Sequence, residues 1–227
     1  MKKLVILTGA GMSAESGIST FRDSNGLWKN YPVEQVATPE GFAASPQLVL
    51  DFYNHRRREL LRAEPNDGHK GLVAFEQHFE VHIITQNVDN LHERAGSSHV
   101  IHLHGELMKS CSVNDKNKPF DISPEHPDIH LGDLASDGGQ LRPFIVWFGE
   151  AVPKIEEAIP YVKAADIFVV IGTSLNVYPA AGLLKYVRYR RPVYLIDPNV
   201  VITYRKHIQF IKTGASEGVK ILKEIFL

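Results

Sequence analysis

Two hydrophobic patterns alternate along the chain. Six short runs are almost continuously apolar and rich in β-branched residues: Leu4 to Thr8, Val81 to Thr85, Val100 to Leu103, Phe144 to Phe148, Ile167 to Ile171 and Val193 to Ile196. Runs of that length and composition predict buried strands. Between them, apolar residues recur three and four apart, which predicts helices packed by one face. A short helix opens at Thr38-Pro39-Glu40. A longer one starts at Ser45-Pro46, cap and first-turn proline, and runs to about Ala63 with Leu48, Val49, Phe52, Leu60 and Leu61 as its packing face. Further helices are expected from Asn66 to Phe79 with Leu72, Phe75 and His78 inward, from Asn90 to Ala95, before Ile167 with a tight turn at Pro160, and up to about Arg190. A last helix places Val219, Leu222 and Phe226 on one face. Strands separated by helices across the whole length predict an α/β fold with a doubly wound parallel sheet.

The chemistry sits where the apolar runs stop. The first breaks on Gly9-Ala10-Gly11, followed by Ser13 and Ala14. Glycines at a strand end permit a tight turn and leave no Cβ between backbone amides and a phosphate, while Ser13 is placed to cap a following helix. The spacing fits the dinucleotide pattern G-x-G-x-x-G/A, although small-residue turns are common at strand ends. A hydride-transferring enzyme would continue to a second strand with an acidic residue about 20 positions on. Here a polar loop follows instead, carrying Phe21, Arg22 and Trp28, and it reads as a cover for a cofactor. The second run ends on Gln86-Asn87-Val88-Asp89, an amide pair and a carboxylate where open α/β sheets hold ligands; Asn87 and Asp89 would equally serve as caps of the next helix. Gly172-Thr173-Ser174 is a second glycine and hydroxyl turn, and Asp197-Pro198-Asn199 closes another strand. Among 11 histidines, His102 and His104 share a strand face, and only His104 lies at the end that opens on the site. An imidazole is suited to take a proton near neutral pH.

The stretch GAGMSAESGISTFRDSNGLW resembles, almost letter for letter, the cofactor loop of the sirtuins, the NAD-dependent protein deacylases. Matches continue in order over nearly the whole chain. Thr85 to His92 is similar to the T-Q-N-x-D-x-L-H motif that builds the nicotinamide pocket, and His104-Gly105 to the catalytic H-G. Val146, Phe148, Gly149 and Glu150 fall in a segment resembling the one that lines the acyl-lysine tunnel, and Asn176-Val177-Tyr178 where the substrate peptide pairs. Gly214-Ala215 resembles the turn whose backbone touches adenine. The resemblance implies a Rossmann-like, NAD-binding domain from residues 1–26, 66–105 and 143–227, with a small second domain from insertions 27–65 and 106–142. It implies that nicotinamide leaves NAD as the acyl oxygen attacks the ribose, with His104 deprotonating a ribose hydroxyl. Asn87 and Asp89 then hold nicotinamide, Phe21 shields the ribose carbon and Arg22 lies near the phosphates. The products are nicotinamide, O-acyl-ADP-ribose and free lysine. Asp197 stands where the family usually has Asn.

Within the long helix, Tyr53, Arg56, Arg57 and Arg58 crowd one turn. A solvated basic face is one reading. Tyr53 and Arg56, three apart, share a side of the helix and together donate toward a carboxylate. They also match the Tyr-x-x-Arg element of sirtuins that remove succinyl and malonyl groups, which implies an acidic-acyl preference.

Composition adds limits. A net charge of -1 gives no electrostatic reason to expect nucleic acid or an anionic membrane as a partner; acyl-lysine proteins or peptides are the partners expected. The apolar run from Leu4 to Leu7 is too short for a signal-peptide core or a membrane span, so the cytoplasm is the expected location. One cysteine, Cys111, excludes an internal disulfide. The family's small domain carries zinc on two C-x-x-C pairs, whereas this chain offers Cys111 and the scattered His126, Asp128, His130 and Asp133. A degenerate, metal-free module is expected over residues 108–141. The rival functions are mono-ADP-ribosyl transfer and a non-catalytic module that binds NAD or ADP-ribose.

Overall fold

The computed structural model describes residues 1–19, 31–199, 201, 203 and 205–227. Its centre is a six-stranded sheet made of β1 (Lys2–Thr8), β2 (Phe79–Thr85), β3 (Val100–His102), β7 (Ile167–Ile171), β8 (Val193–Ile196) and β9 (Ile208–Ile211), in the order β3-β2-β1-β7-β8-β9. Every neighbouring pair is parallel. β1 lies inside the sheet and alternates its side chains between two cores. Leu4 and Ile6 pack with Leu72, Phe75, Val219 and Leu222 on one face. Val5 and Leu7 pack with Ala158, Val162, Leu183 and Leu184 on the other. Burial on both faces is why the sequence reads there as a continuous apolar run.

Helices α1 (Val33–Val36), α2 (Pro39–Ala44) and α3 (Pro46–Arg62) form a smaller body with an antiparallel sheet of β5 (Pro119–Asp121), β4 (Gly105–Ser112) and β6 (Leu141–Ile145). A third core joins them through Val49, Phe52, Leu60, Leu107 and Trp147. The remaining helices are α4 (Asp67–Phe75), α5 (Leu91–Ala95), α6 (Lys154–Ala164) and α7 (Ala215–Phe226). No helix among the described residues is long and apolar enough to cross a membrane.

Four local expectations change. The strand expected over Phe144 to Phe148 lies at Leu141–Ile145 and pairs antiparallel with β4, so it belongs to the small sheet. The helix from Asn66 stops at Phe75, and His78 is exposed in the polar turn before β2. The helix expected up to Arg190 is a 3₁₀ run, Ala180–Tyr186. β9 was not anticipated, because Ile208-Gln209-Phe210-Ile211 is an edge strand with exposed Gln209 and Phe210 and no continuous apolar run.

The junction of β1 and β7 depends on two glycines. Gly11 donates its amide to the Gly172 carbonyl at 2.9 Å, and a Cβ on Gly11 would stand 2.7 Å from the Gly172 Cα. Gly172 has φ +63, a left-handed conformation that glycine adopts without strain.

Candidate active site

The carboxyl ends of β1, β2, β7 and β8 open on one cavity of about 1040 Å³. Its sheet side is lined by Gly9, Ala10, Gly11 and Ala14 after β1, by Gln86, Asn87 and Asp89 after β2, by Gly172, Thr173 and Ser174 after β7, and by Asp197, Pro198 and Asn199 after β8. Tyr53 and Arg56 enter from α3, His104 from the β3–β4 turn, and Val146, Phe148, Gly149, Glu150, Val177 and Tyr178 complete the opposite wall. Residues separated by up to two hundred positions thus meet at the place open parallel sheets hold ligands. Phe21, Arg22 and Trp28 lie outside the described residues.

Three expected residues do not line the cavity. Asn176 is exposed, and Ala215 is buried at the start of α7 with Gly214 lining in its place. Ser13 is fully buried and caps no helix, because the chain makes two short 3₁₀ turns, Ala10–Met12 and Ala14–Ser16, where a helix was expected. Its hydroxyl donates to Asp89 Oδ2 at 2.9 Å and accepts from Asn87 Nδ2 at 3.1 Å. Ser13 therefore orients the amide and carboxylate from beneath the floor. Asp89 also accepts from the Leu91 amide at 3.2 Å, so it serves the start of α5 as well as the cavity. Burial raises its carboxyl above the ordinary range, opposed by these two hydrogen bonds.

The two histidines turn to successive carbonyl oxygens. His104 Nδ1 lies 3.0 Å from the Gln86 carbonyl and His102 Nδ1 lies 3.0 Å from that of Asn87. A carbonyl only accepts, so each Nδ1 carries a proton. In the neutral ring, His104 Nε2 is then left as the acceptor. Burial lowers His104 below the usual imidazole value, with the Gln86 bond pulling the other way, and the ring is neutral at pH 7. His102 differs because Glu93 sits 2.7 Å from its Nε2. Burial disfavours the charged ring, but the Glu93 bond and charge prevail and raise His102.

Trp147 is a cavity residue the sequence reading passed over, although it lies between two it selected. Its indole Nε1 donates to the Tyr53 hydroxyl at 3.0 Å. Its ring lies under the Arg142 guanidinium, 3.4 Å from Cζ to the centroid, and its amide donates to Glu150 Oε2 at 2.9 Å. Glu150 in turn accepts from Arg142 at 2.8 and 3.1 Å and from Lys116. Burial would raise this carboxyl, but those donors hold it at about 2.

A model described as Sir2 family matches residues 9–179. The chain belongs to the Sir2 family. It is 62% identical to an "NAD-dependent protein deacylase" of Bacteroides thetaiotaomicron, with 100% of this chain and 99% of that protein covered. Another "NAD-dependent protein deacylase", from Helicobacter pylori, is 56% identical over 98% of this chain and 96% of its own length. Among solved structures, a Sir2 homolog–NAD complex superposes with a TM-score of 0.85 at 38% identity, covering 99% of this chain and 90% of that one.

NAD is the cofactor of the Sir2 family, and the residues here fit it. A Cβ on Gly9 would come within 2.8 Å of the Gly172 carbonyl oxygen and 2.7 Å of Thr173 Cβ, so only the bare backbone permits this cradle. The family's zinc does not fit. Cys111 is buried, and among the described residues no group of three or more His, Cys, Asp or Glu could hold a metal ion. Burial raises the Cys111 thiol, away from the thiolate that zinc binds. Dialysis against a strong chelator is accordingly expected to leave the melting temperature unchanged, and elemental analysis to find no stoichiometric zinc; a chelator-dependent fall in melting temperature would refute this.

Proposed function

We propose that this chain is an NAD-dependent protein-lysine deacylase whose cavity favours acyl groups that end in a carboxylate, succinyl and malonyl, over acetyl. The observation that carries the preference is the pair Tyr53 and Arg56, one turn apart on α3 and both in the wall of the cavity that contains His104. Burial lowers Arg56 below the usual guanidinium value, so its charge has given up part of its hydration. A carboxylate offsets that loss and accepts both donors, which a methyl group cannot do.

When bound, NAD would supply an electrophilic ribose carbon and nicotinamide as the leaving group. The chain's own residues do the rest. Asn87 and Asp89, fixed by Ser13, hold the amide end; the Gly9–Gly11 and Gly172–Ser174 turns admit the diphosphate and riboses; His104 Nε2 accepts a proton from a ribose hydroxyl. Val177, Tyr178, Phe148 and Gly149 also line the cavity, which supports assigning them to the entry of the acyl-lysine. The single thiol suits the cytoplasm as the place of action.

The test is nicotinamide release from NAD with matched succinyl-lysine and acetyl-lysine peptides. Arg56→Met is expected to lower the succinyl-to-acetyl ratio of kcat/KM by about 10- to 100-fold, the worth of one charged hydrogen-bonded contact. Equal losses on both peptides would defeat the acyl preference. Nicotinamide release with ADP-ribose appearing on protein, and no free lysine, would favour ADP-ribosyl transfer instead.

A further inference from the structure

The Tyr53 hydroxyl has one proton to give and lone pairs to receive. Trp147 Nε1, an obligatory donor, already occupies a lone pair at 3.0 Å. The Tyr53 proton is used in no hydrogen bond among the described residues, although the side chain is only 2% exposed. We propose that Trp147 is a specificity-determining positioning residue: its indole N–H fixes the Tyr53 hydroxyl as a donor toward the acyl group and so tunes the cavity for a carboxylate. This deepens, and rests on, the acidic-acyl reading.

The geometry supports it from both sides. Indole cannot accept, so the Tyr53 proton is excluded from the direction of Trp147 and must serve another partner. A carboxylate within reach of Arg56 supplies that partner, and an acetyl methyl leaves a buried donor unsatisfied, which penalises the wrong substrate. Burial pushes the phenol up to about 12, so the proton is present throughout the working pH range. Trp147 is itself held on three sides: Arg142 over its face, the Glu150 carboxylate on its amide, and Phe42 with ring centroids 5.2 Å apart. Glu150, selected from the sequence as a substrate contact, spends its carboxylate on Arg142, Lys116 and the Trp147 amide. Glu150 thereby also holds Trp147 in place beside Tyr53. Held groups of this kind keep a donor aimed without a cost at the moment of binding.

Trp147→Phe keeps an aromatic ring under Arg142 and removes the N–H together with part of the buried ring. The expected result is a fall of about tenfold in the succinyl-to-acetyl ratio of kcat/KM, carried mainly by a higher KM for the succinyl peptide. Tyr53→Phe should lower the ratio at least as far, and the double variant should be no worse than Tyr53→Phe alone, because both changes act through one hydroxyl. If Trp147→Phe leaves the ratio where it was, or slows both peptides alike, while Tyr53→Phe and Arg56→Met still collapse it, the role of Trp147 is refuted and the clamp stands. If none of the three variants moves the ratio, the acidic-acyl reading falls and the Trp147 inference with it. The melting temperature of Trp147→Phe, measured beside the kinetics, separates a packing loss from the specificity effect.

Discussion

Replacement of His104 by alanine is expected to slow succinyl- and acetyl-peptide turnover together, by about 10²- to 10⁴-fold, the usual contribution of a positioned general base. The loss should be common to both peptides because the proton His104 accepts belongs to the ribose and not to the acyl group. The wild-type pH profile should carry the same signature. Burial lowers His104 below the ordinary histidine value, so the neutral, proton-accepting ring persists through the neutral range. Activity is therefore expected to be flat at neutral pH and to fall as pH drops below the ordinary histidine range, where the ring becomes charged and loses its acceptor. The retained Gln86 bond fixes which nitrogen this is, since Nδ1–H is committed to a carbonyl at 3.0 Å. A profile that rises toward acid pH, or substantial deacylation by His104→Ala, would remove His104 from the chemistry. Asn87 should behave differently: its amide is tied to Ser13 beneath the floor, so its removal is expected to act on cofactor binding as well as turnover.

What was legible in the sequence was what depends on neighbours in the chain. Gly9 and Gly11 could be read because a tight turn at a strand end needs residues without Cβ, and the need is local. Tyr53 and Arg56 could be paired because helical spacing alone puts them on one side. The core strands announced themselves through burial on both faces. Ser13 caps no helix as expected, and its bond to Asp89 was not legible because Asp89 is 76 positions away and only the fold brings them together. Trp147 went unseen for the same reason: its partner Tyr53 is 94 positions distant. The small sheet was hidden by composition. Residues 108–141 are polar and turn-rich, yet β4 and β6 pair through them, with Arg142 buried between Trp147 and Glu150 in place of the apolar alternation that normally marks a strand.

The arginine run on α3 shows how much turns on one step of helical phase, and it yields the largest expected effect on stability. Arg56, Arg57 and Arg58 are adjacent, but only Arg57 is fully buried, at 0% exposure. Its Nε donates to the Leu107 carbonyl at 2.9 Å, and Nη1 donates to Asn54 Oδ1 at 2.7 Å and to the Pro127 carbonyl. Asn54 continues the seam, donating to the Ile129 carbonyl at 2.9 Å and accepting from the Ile129 amide at 3.0 Å. One guanidinium thus ties α3 to β4 and to the 127–129 segment, a crosslinking task for which the described residues gather no group of three or more metal-ligating side chains. Burial lowers Arg57 to about 10, with the Asp128 charge pulling upward, so it stays charged at neutral pH. Arg57→Met keeps the aliphatic stem but takes the donor from the buried Leu107 carbonyl and the part-buried Pro127 carbonyl, leaves the Asn54 oxygen with the Ile129 amide alone, and is expected to cost about 3–5 kcal/mol. In a chain of this size that lowers the melting temperature by about 6–20 °C. Arg58→Met is the control: its pair with Asp128 is half-exposed, and removing it should cost no more than about 1 kcal/mol. Should the two variants melt together, apolar packing through Val49, Phe52 and Leu107 would be sufficient to hold the small body. A large gap between them would mean that a buried cation, hydrogen-bonded to main-chain oxygens, holds the module together.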